Sequence, residues 1–504
     1  MEKYVKKSEY ACFTTATFGR SMMYNLYSMF ALVFFTECVL KGVPNAGKIA
    51  GTIILVARIF DALNDPVMGI IVDKTQTKYG KFRPYLLWSP FLIAVATTLL
   101  FWNAGINSAA GKVAYCAVTY IMWGVCFTVQ DIPFWGLSSA ISPDENERTK
   151  FISVARLGST FGGIIPTLLV PMLTDSMDQS KAYLLAGLLI GFIGSGLSLL
   201  AFFGTKEKLI LHTEPKSVKE IFGGFIKNKY LMLLIGSCLL ASTVMMAQTA
   251  SPYVAKYLFD YQKVVSESGV VSYKLLYADG TQSFLTKGLI LTVLSVMIGV
   301  GMVPAMLLLP ILKKKFDFKI IYIFSMLFGA AVNVILYFVG FDKLGKASIF
   351  VLFFFLILVG IPLGIYNVIT YNMVADATDY MEWKSGQRIE GISFAAQTLI
   401  SKASAGVASL ITGFVVDASN IEKFTTDGFW VTPETVSEGL SVPTAENVAD
   451  VRSWIFIMIT LIPAAGMLLT CIPMAFYDYS GKKKQKIKTE LEVIREERLK
   501  SLQQ

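Results

Sequence analysis

Apolar residues run along this chain in long blocks separated by short polar stretches. Residues 84–111, 157–174, 182–205, 230–255, 288–312, 320–341, 347–375 and 453–477 contain no Asp, Glu, Lys or Arg. Most of these runs exceed about 18 residues, the length that argues for a bilayer-spanning helix. Four more apolar stretches, near 11–40, 49–72, 113–140 and 391–416, hold isolated charges. The pattern predicts twelve transmembrane helices, six before the polar segment 205–229 and six after it. Membrane-spanning strands would instead show about ten residues of alternating polarity. The expected architecture is an all-α integral membrane protein of two six-helix bundles. Its parts are an N-terminal bundle over 1–204, a central cytoplasmic loop over 205–229, a C-terminal bundle over 230–480 and a cytoplasmic tail over 481–504. The first apolar stretch is too long for a leader's apolar core and lacks a small-residue cleavage site, so it reads as a retained span.

Composition sharpens this picture. Of 504 residues, 54% are hydrophobic and only 16% charged, and the mean hydropathy is +0.57. Those values exclude a disordered or collagen-like chain and argue against a soluble enzyme. The net charge of +9 suits either nucleic acid or one side of a membrane. With both termini in the cytoplasm, thirty of the 45 Lys and Arg fall on that side and eleven on the other. Such asymmetry is the orientation signal of a multi-pass protein of the cell membrane and leaves no need for a nucleic-acid partner. All six cysteines lie in apolar stretches without CxxC spacing, as buried small residues would. The outer segments 258–287 and 417–453 contain Asp279-Gly280 and Asp427-Gly428 and are expected to be solvated loops, with a small outer cap as the alternative. The tail, rich in both signs of charge, is expected to form a surface helix near anionic lipid.

Charges inside the spans are the candidate chemistry, because an ionised group at mid-helix costs about 2.5 to 3.5 kcal/mol even on the gentlest scale. The second span carries Arg58, Asp61, Asn64, Asp65 and Pro66. Asp61 and Asp65, four apart, share one helix face. Pro66 removes a backbone donor and frees carbonyl oxygen nearby. Two carboxylates with amide oxygen suit Na⁺, Li⁺ or a proton, whereas an Arg58–Asp61 ion pair alone leaves Asp65 unexplained. The fourth span places Thr128, Asp131 and Trp135 on one face, a carboxylate beside an aromatic plate that suits a sugar. Arg20 lies in the first span, Arg156 opens the fifth, and Lys402 is the only charge inside the eleventh, near Gln397 and Thr398. Glu37 is expected to snorkel at an outer helix end, and His212, the only histidine, to be a solvated loop residue.

One histidine excludes a Ser-His-Asp triad, a His/Cys zinc set and HExxH, and no Walker A or GxGxxG follows a strand. An ion-gradient carrier remains, without a bound cofactor beyond the Na⁺ or H⁺ it co-transports. The stretches 58–87 (RIFDALNDPVMGIIVDKTQTKYGKFRPYLL), 120–137 (YIMWGVCFTVQDIPFWGL) and 373–406 (MVADATDYMEWKSGQRIEGISFAAQTLISKASAG) resemble the glycoside–pentoside–hexuronide:cation symporters. Residues Gly69–Arg83 are also similar to the second-loop motif of the wider major facilitator superfamily. The resemblance implies a cation site of Asp61, Asn64, Asp65 and Thr128, with Na⁺ favoured by Asn64 and Thr128. It implies a sugar site of Arg20, Asp131, Trp135, Arg156, Gln397 and Thr398, with Lys402 linking the two. Ser21 stands where an α-galactoside carrier of that family has an aspartate, Phe127 where it has a tyrosine and Asn367 where it has a tryptophan. Loss of the acid beside Arg20 makes the pocket less negative and better matched to a neutral pentoside or an anionic uronide. The expectation is a monomeric symporter of a sugar or glycoside, working by alternating access between bundles built of inverted repeats. The alternatives are a cation-coupled carrier of a non-sugar substrate such as a lysolipid and a non-transporting membrane sensor.

Overall fold

The computed structural model describes residues 5–142, 145–208, 228–265, 271–276, 280, 282–340, 347–385, 390–426, 429–433, 436 and 440–502. Most of the central loop, including His212, and the turn residues Asp279, Asp427 and Gly428 lie outside the described residues. The long helices are α1 (Lys7–Phe34), α2 (Ala46–Lys74), α3 (Arg83–Leu100), α4 (Ala109–Ala140), α5 (Glu145–Ser176) and α6 (Gln179–Ser198), then α7 (Lys229–Leu240), α8 (Lys287–Lys313), α9 (Phe318–Val339), α10 (Ala347–Ser385), α11 (Glu390–Ala418), α12 (Ala445–Ile459) and α13 (Gly481–Leu502). Among the described residues ten helices are long and apolar enough to cross a membrane. The second and seventh of the twelve expected spans are helical but fall short of that measure. α2 carries Arg58, Asp61 and Asp65, and the seventh changes from α7 to a 3-10 turn at Ala241–Met245 and resumes as Ser251–Tyr257. Phe192, Phe324 and Phe338 are exposed on helix faces, as contact with lipid requires.

Contacts divide the chain into two compact units. The first comprises Met1–Pro215, Gln248–Val293 and Ser409–Phe456. Within it α1 packs along α5 and α6, and α4 along α2 and α3. Small residues allow these approaches. A Cβ on Gly158 or Gly162 would overlap the backbone of Thr14 or Phe18 on α1, and one on Gly19 would overlap Gly194 of α6. The outer end of α11 crosses α2 in the same way, Gly413 on Gly47 and Leu410 on Gly51. The Asp417 carboxylate there accepts the N–H groups of Gly47 and Lys48 at 2.8 and 2.9 Å, satisfying the first turn of α2.

The second unit comprises Lys216–Ala247, Leu294–Ala408 and Ile457–Gln504. α8 and α10 lie backbone to backbone at Gly301, Gly360 and Gly364. Ser237, Tyr322 and Thr470 form a buried hydroxyl network, with Ser237 Oγ and Thr470 Oγ1 2.6 Å apart. Polar groups paired in this way tie helices together where water is absent.

The outer segments depart from the expectation of solvated loops. Within 258–287 the chain forms an antiparallel sheet of β1 (Tyr261–Val265), β2 (Val271–Leu276) and β3 (Gln282–Thr286). Tyr261 pairs with Leu275 and Val265 with Val271, and the β2–β3 register shifts between Lys274 and Leu276. The β-branched and aromatic residues of this stretch favour a pleated surface, a preference masked by the segment's overall polarity. In 417–453 a short helix, Ile421–Phe424, leads to the strand pair β4 (Thr425–Thr426) and β5 (Phe429–Trp430), and α12 begins at Ala445. These strands qualify the all-helical expectation outside the spans only. The tail forms α13, as expected of a surface helix.

Candidate cation and sugar site

The expected polar residues of the first four spans and the fifth converge within the first unit. On α2, Arg58, Asp61 and Asp65 are 2%, 3% and 5% exposed, and Asn64 is half-buried beside them. α4 faces this strip with its small residues. Thr128 Oγ1 donates to Asp65 Oδ1 at 3.1 Å. One turn earlier, a Cβ on Gly124 would overlap the Asp61 carboxylate, so only glycine admits that acid against the helix. Two carboxylates and a hydroxyl thus meet between two helices, each of which contains a proline, Pro66 in α2 and Pro133 in α4. Hard oxygen ligands of this kind hold a small monovalent cation or a proton. Arg58 lies against aromatic faces. Its guanidinium is 4.5 Å from the Tyr27 centroid, 5.6 Å from Tyr24 and 5.9 Å from Tyr120, and Tyr27 itself stacks on Trp123. A cation held over rings stays charged in a dry interior without occupying a carboxylate's whole coordination.

The sugar-site residues cluster one turn along α4. Arg20 of α1 is ion-paired with Asp131 Oδ1, an interaction the linear sequence does not show. The Arg20 guanidinium also lies 4.3 Å from the Phe134 centroid and 5.0 Å from Phe127. Arg156 of α5, which is exposed, sits 4.4 Å over the Trp135 ring, and Arg20 is 5.8 Å from the same ring. Ser21 Oγ is 2.5 Å from Ser159 Oγ, so the position expected to be short of an acid is filled by a neutral hydroxyl pair. The cluster therefore brings together two guanidinium groups, one carboxylate, two hydroxyls and an indole.

Thr398 and Lys402 lie half-buried on α11 in the second unit, and the Gln397 side chain lies outside the described residues. The structure thus assembles Arg20 of α1, Asp131 and Trp135 of α4 and Arg156 of α5 in one place, and Asp61, Asn64 and Asp65 of α2 with Thr128 of α4 in another, the two joined by adjoining turns of α4.

Glu37 departs from its expected role. It sits in a π-helical turn, Phe35–Val39, and its carboxylate accepts from Lys256 Nζ at 2.5 Å, from Tyr257 Oη at 2.9 Å and from Gln179 Nε2. The side chains of Lys256 and Glu37 are only 10% and 12% exposed, so the acid is enclosed and paired rather than reaching for water. Sequence carried one usable hint, the charge-free run 230–255 closing on Lys256, but nothing that names Glu37 as its partner.

Comparison with known proteins identifies the family and the fold. The family described as MFS/sugar transport protein matches residues 12–272 and 275–481. A glucuronide carrier protein homolog of Escherichia coli (strain K12) is 25% identical over 470 residues, 92% of this chain and 91% of that one. The isoprimeverose transporter of Lactiplantibacillus pentosus is 26% identical over 419 residues, 82% and 80% of the two chains. The crystal structure of a D-xylose–proton symporter superposes with a TM-score of 0.58 at 14% identity, over 95% of this chain and 98% of that one, which shows a shared fold. The chain belongs to the MFS/sugar transport protein family, among the glycoside–pentoside–hexuronide:cation symporters its three sequence blocks resemble, and is a multi-pass membrane transporter, not an enzyme.

Proposed function

We propose that the protein imports a sugar or glycoside by symport with Na⁺ or H⁺, alternating access between two bundles in the cell membrane with both termini in the cytoplasm. The observation that carries this reading is the sharing of α4. Thr128 donates to Asp65 at 3.1 Å, and Asp131, three residues on, is paired with Arg20. A cation held by Asp61 and Asp65, with Asn64 and Thr128 adding oxygen, neutralises two acids one turn from the sugar pocket and fixes the face of α4 that bears Asp131. Sugar binding then tightens the cation by the same factor, because coupling between two ligands is reciprocal. A coupling of about 1 to 3 kcal/mol alters either affinity roughly 5- to 150-fold. Gln397, Thr398 and Lys402 are further sugar-site candidates on the family resemblance alone.

The charges of the pocket favour an anionic or neutral sugar. Arg20 and Arg156 together outweigh Asp131, and Ser21 adds no acid. A uronide carboxylate suits the Arg156 guanidinium, and the name of the glucuronide carrier homolog supports the same class.

Uptake into vesicles under imposed Na⁺ or H⁺ gradients tests the proposal. Asp61→Cys or Asp65→Cys should abolish uphill accumulation while leaving part of the sugar binding, and gradient-driven uptake at the normal rate would contradict it. Asp131→Ala should remove sugar binding itself, and unchanged affinity by isothermal titration would place the pocket elsewhere.

A further inference from the structure

The C-terminal helix α13 takes no part in the polar site above, yet several side chains tie it to α10 within the second unit. Asp376 of α10 is 6% exposed and adjoins the buried Met373, Val374 and Ala377. Its carboxylate accepts from Lys484 Nζ of α13 and is bridged at 3.1 Å by Lys488 Nζ. Two turns further along α10, Trp383 Nε1 donates to Glu490 Oε2 at 2.7 Å. Lys483 Nζ reaches the Tyr230 hydroxyl at 2.7 Å, and the Tyr230 ring meets Tyr380 of α10 edge-on at 4.6 Å. Ile487 and Leu491, four apart on α13, are buried beneath these polar contacts. The helix start is pinned as well, because the Gly481 N–H donates to Asp317 Oδ2 at 2.8 Å.

Burial of Ile487 and Leu491 alone would dock a tail without a buried acid. The convergence of two ammonium groups on one enclosed carboxylate adds something different. When α13 lifts away, Asp376 loses both ammonium partners at once and its carboxylate is uncovered on the flank of α10. Docking of α13 and the position of α10 are two faces of one equilibrium. Lys488, 42% exposed, is the contact most open to solvent and the natural point of release.

We propose that α13 is a detachable latch on α10, with Asp376 as the positioning residue through which the tail sets the speed of the transport cycle. α10 is followed in the chain by α11, which carries Thr398 and Lys402, so the tail restrains the helix that leads into those candidate sugar-site residues. The proposal rests on the carrier reading for its rate measurement and on the fold alone for its docking measurement.

The test uses the full chain in liposomes with two readouts, trypsin cleavage of the tail after Arg495 and Arg498, which every variant retains, and initial velocity of sugar counterflow. Lys484→Gln with Lys488→Gln should expose the tail to trypsin at least tenfold faster. It should raise counterflow velocity at least threefold while the half-saturating sugar concentration stays within twofold. Asp376→Lys should likewise free the tail, and adding Lys484→Asp with Lys488→Asp should restore both protection and velocity. A tail that stays protected in the double glutamine variant, a velocity that is unchanged or lower once the tail is free, or reversed charges that fail to rescue would each overturn the latch. Trypsin protection needs no sugar, so an error in the choice of sugar silences the velocity readout and leaves the docking comparison decisive.

Discussion

Gly124 and Thr128 decide how closely α4 can approach the two acids of α2. Because a Cβ at position 124 overlaps Asp61, Gly124→Ala should push that carboxylate out of place. The expected result is at least a tenfold higher half-saturating cation concentration for uptake, with cation-free sugar binding little changed; an unaltered cation dependence would remove Asp61 from the site. Thr128→Val deletes the donor to Asp65. A net hydrogen bond contributes about 1 kcal/mol, so cation affinity should weaken about fivefold, readable by titrating Na⁺ or H⁺ against sugar uptake. Sequence alone made Asp61, Asp65, Thr128 and Asp131 legible, since charge in an apolar run and helical spacing both operate within a single span. It did not make the Arg20–Asp131 pair legible, because the partners lie 111 residues apart and no periodicity joins them. Gly124 was unreadable for a related reason: its purpose exists only when a second helix lies against it.

The helices themselves followed from hydropathy, and their failures are informative. α2 falls outside a hydropathy criterion because it carries the very charges that make it functional, and the polar outer segments concealed β1 to β3 because β-propensity counts only after strands meet. The crossing of α2 and α11 shows what small residues accomplish at this level. Gly413→Val should wedge the two helices apart at Gly47 and lower the unfolding temperature. Asp417→Ala uncovers the first amides of α2 and should cost about 1 kcal/mol, measured by thermal unfolding of the purified carrier. An unfolding curve identical to the parent's would show that the cap carries no stability.

Taken as one molecule, the carrier shows its ionic character most clearly outside the spans. Burial, with repulsion from Asp417, raises the Glu422 carboxyl from 4.5 to about 7. An acid whose folded value is raised holds its proton longer in the folded protein than in the unfolded chain. Its effect is therefore to lower stability as pH climbs from about 4.5 to about 7, with no further change above that. Unfolding temperatures of the parent relative to Glu422→Gln should fall across that window, and parallel pH curves would refute the assignment.

The enclosed Glu37–Lys256 pair, 12% and 10% exposed, contrasts with the open Lys488–Asp376 contact, where the lysine is 42% exposed. Dissolved ions weaken charge pairs only where water reaches them. With the proposed cytoplasmic placement of the termini, potassium accumulated inside a cell after osmotic upshift would loosen α13 while leaving the Glu37 cluster untouched, and brine outside the cell would do neither. The carrier would sense the salinity of one compartment alone, and a cell drawing in water-retaining solutes would find its sugar intake adjusted by the solutes it already holds.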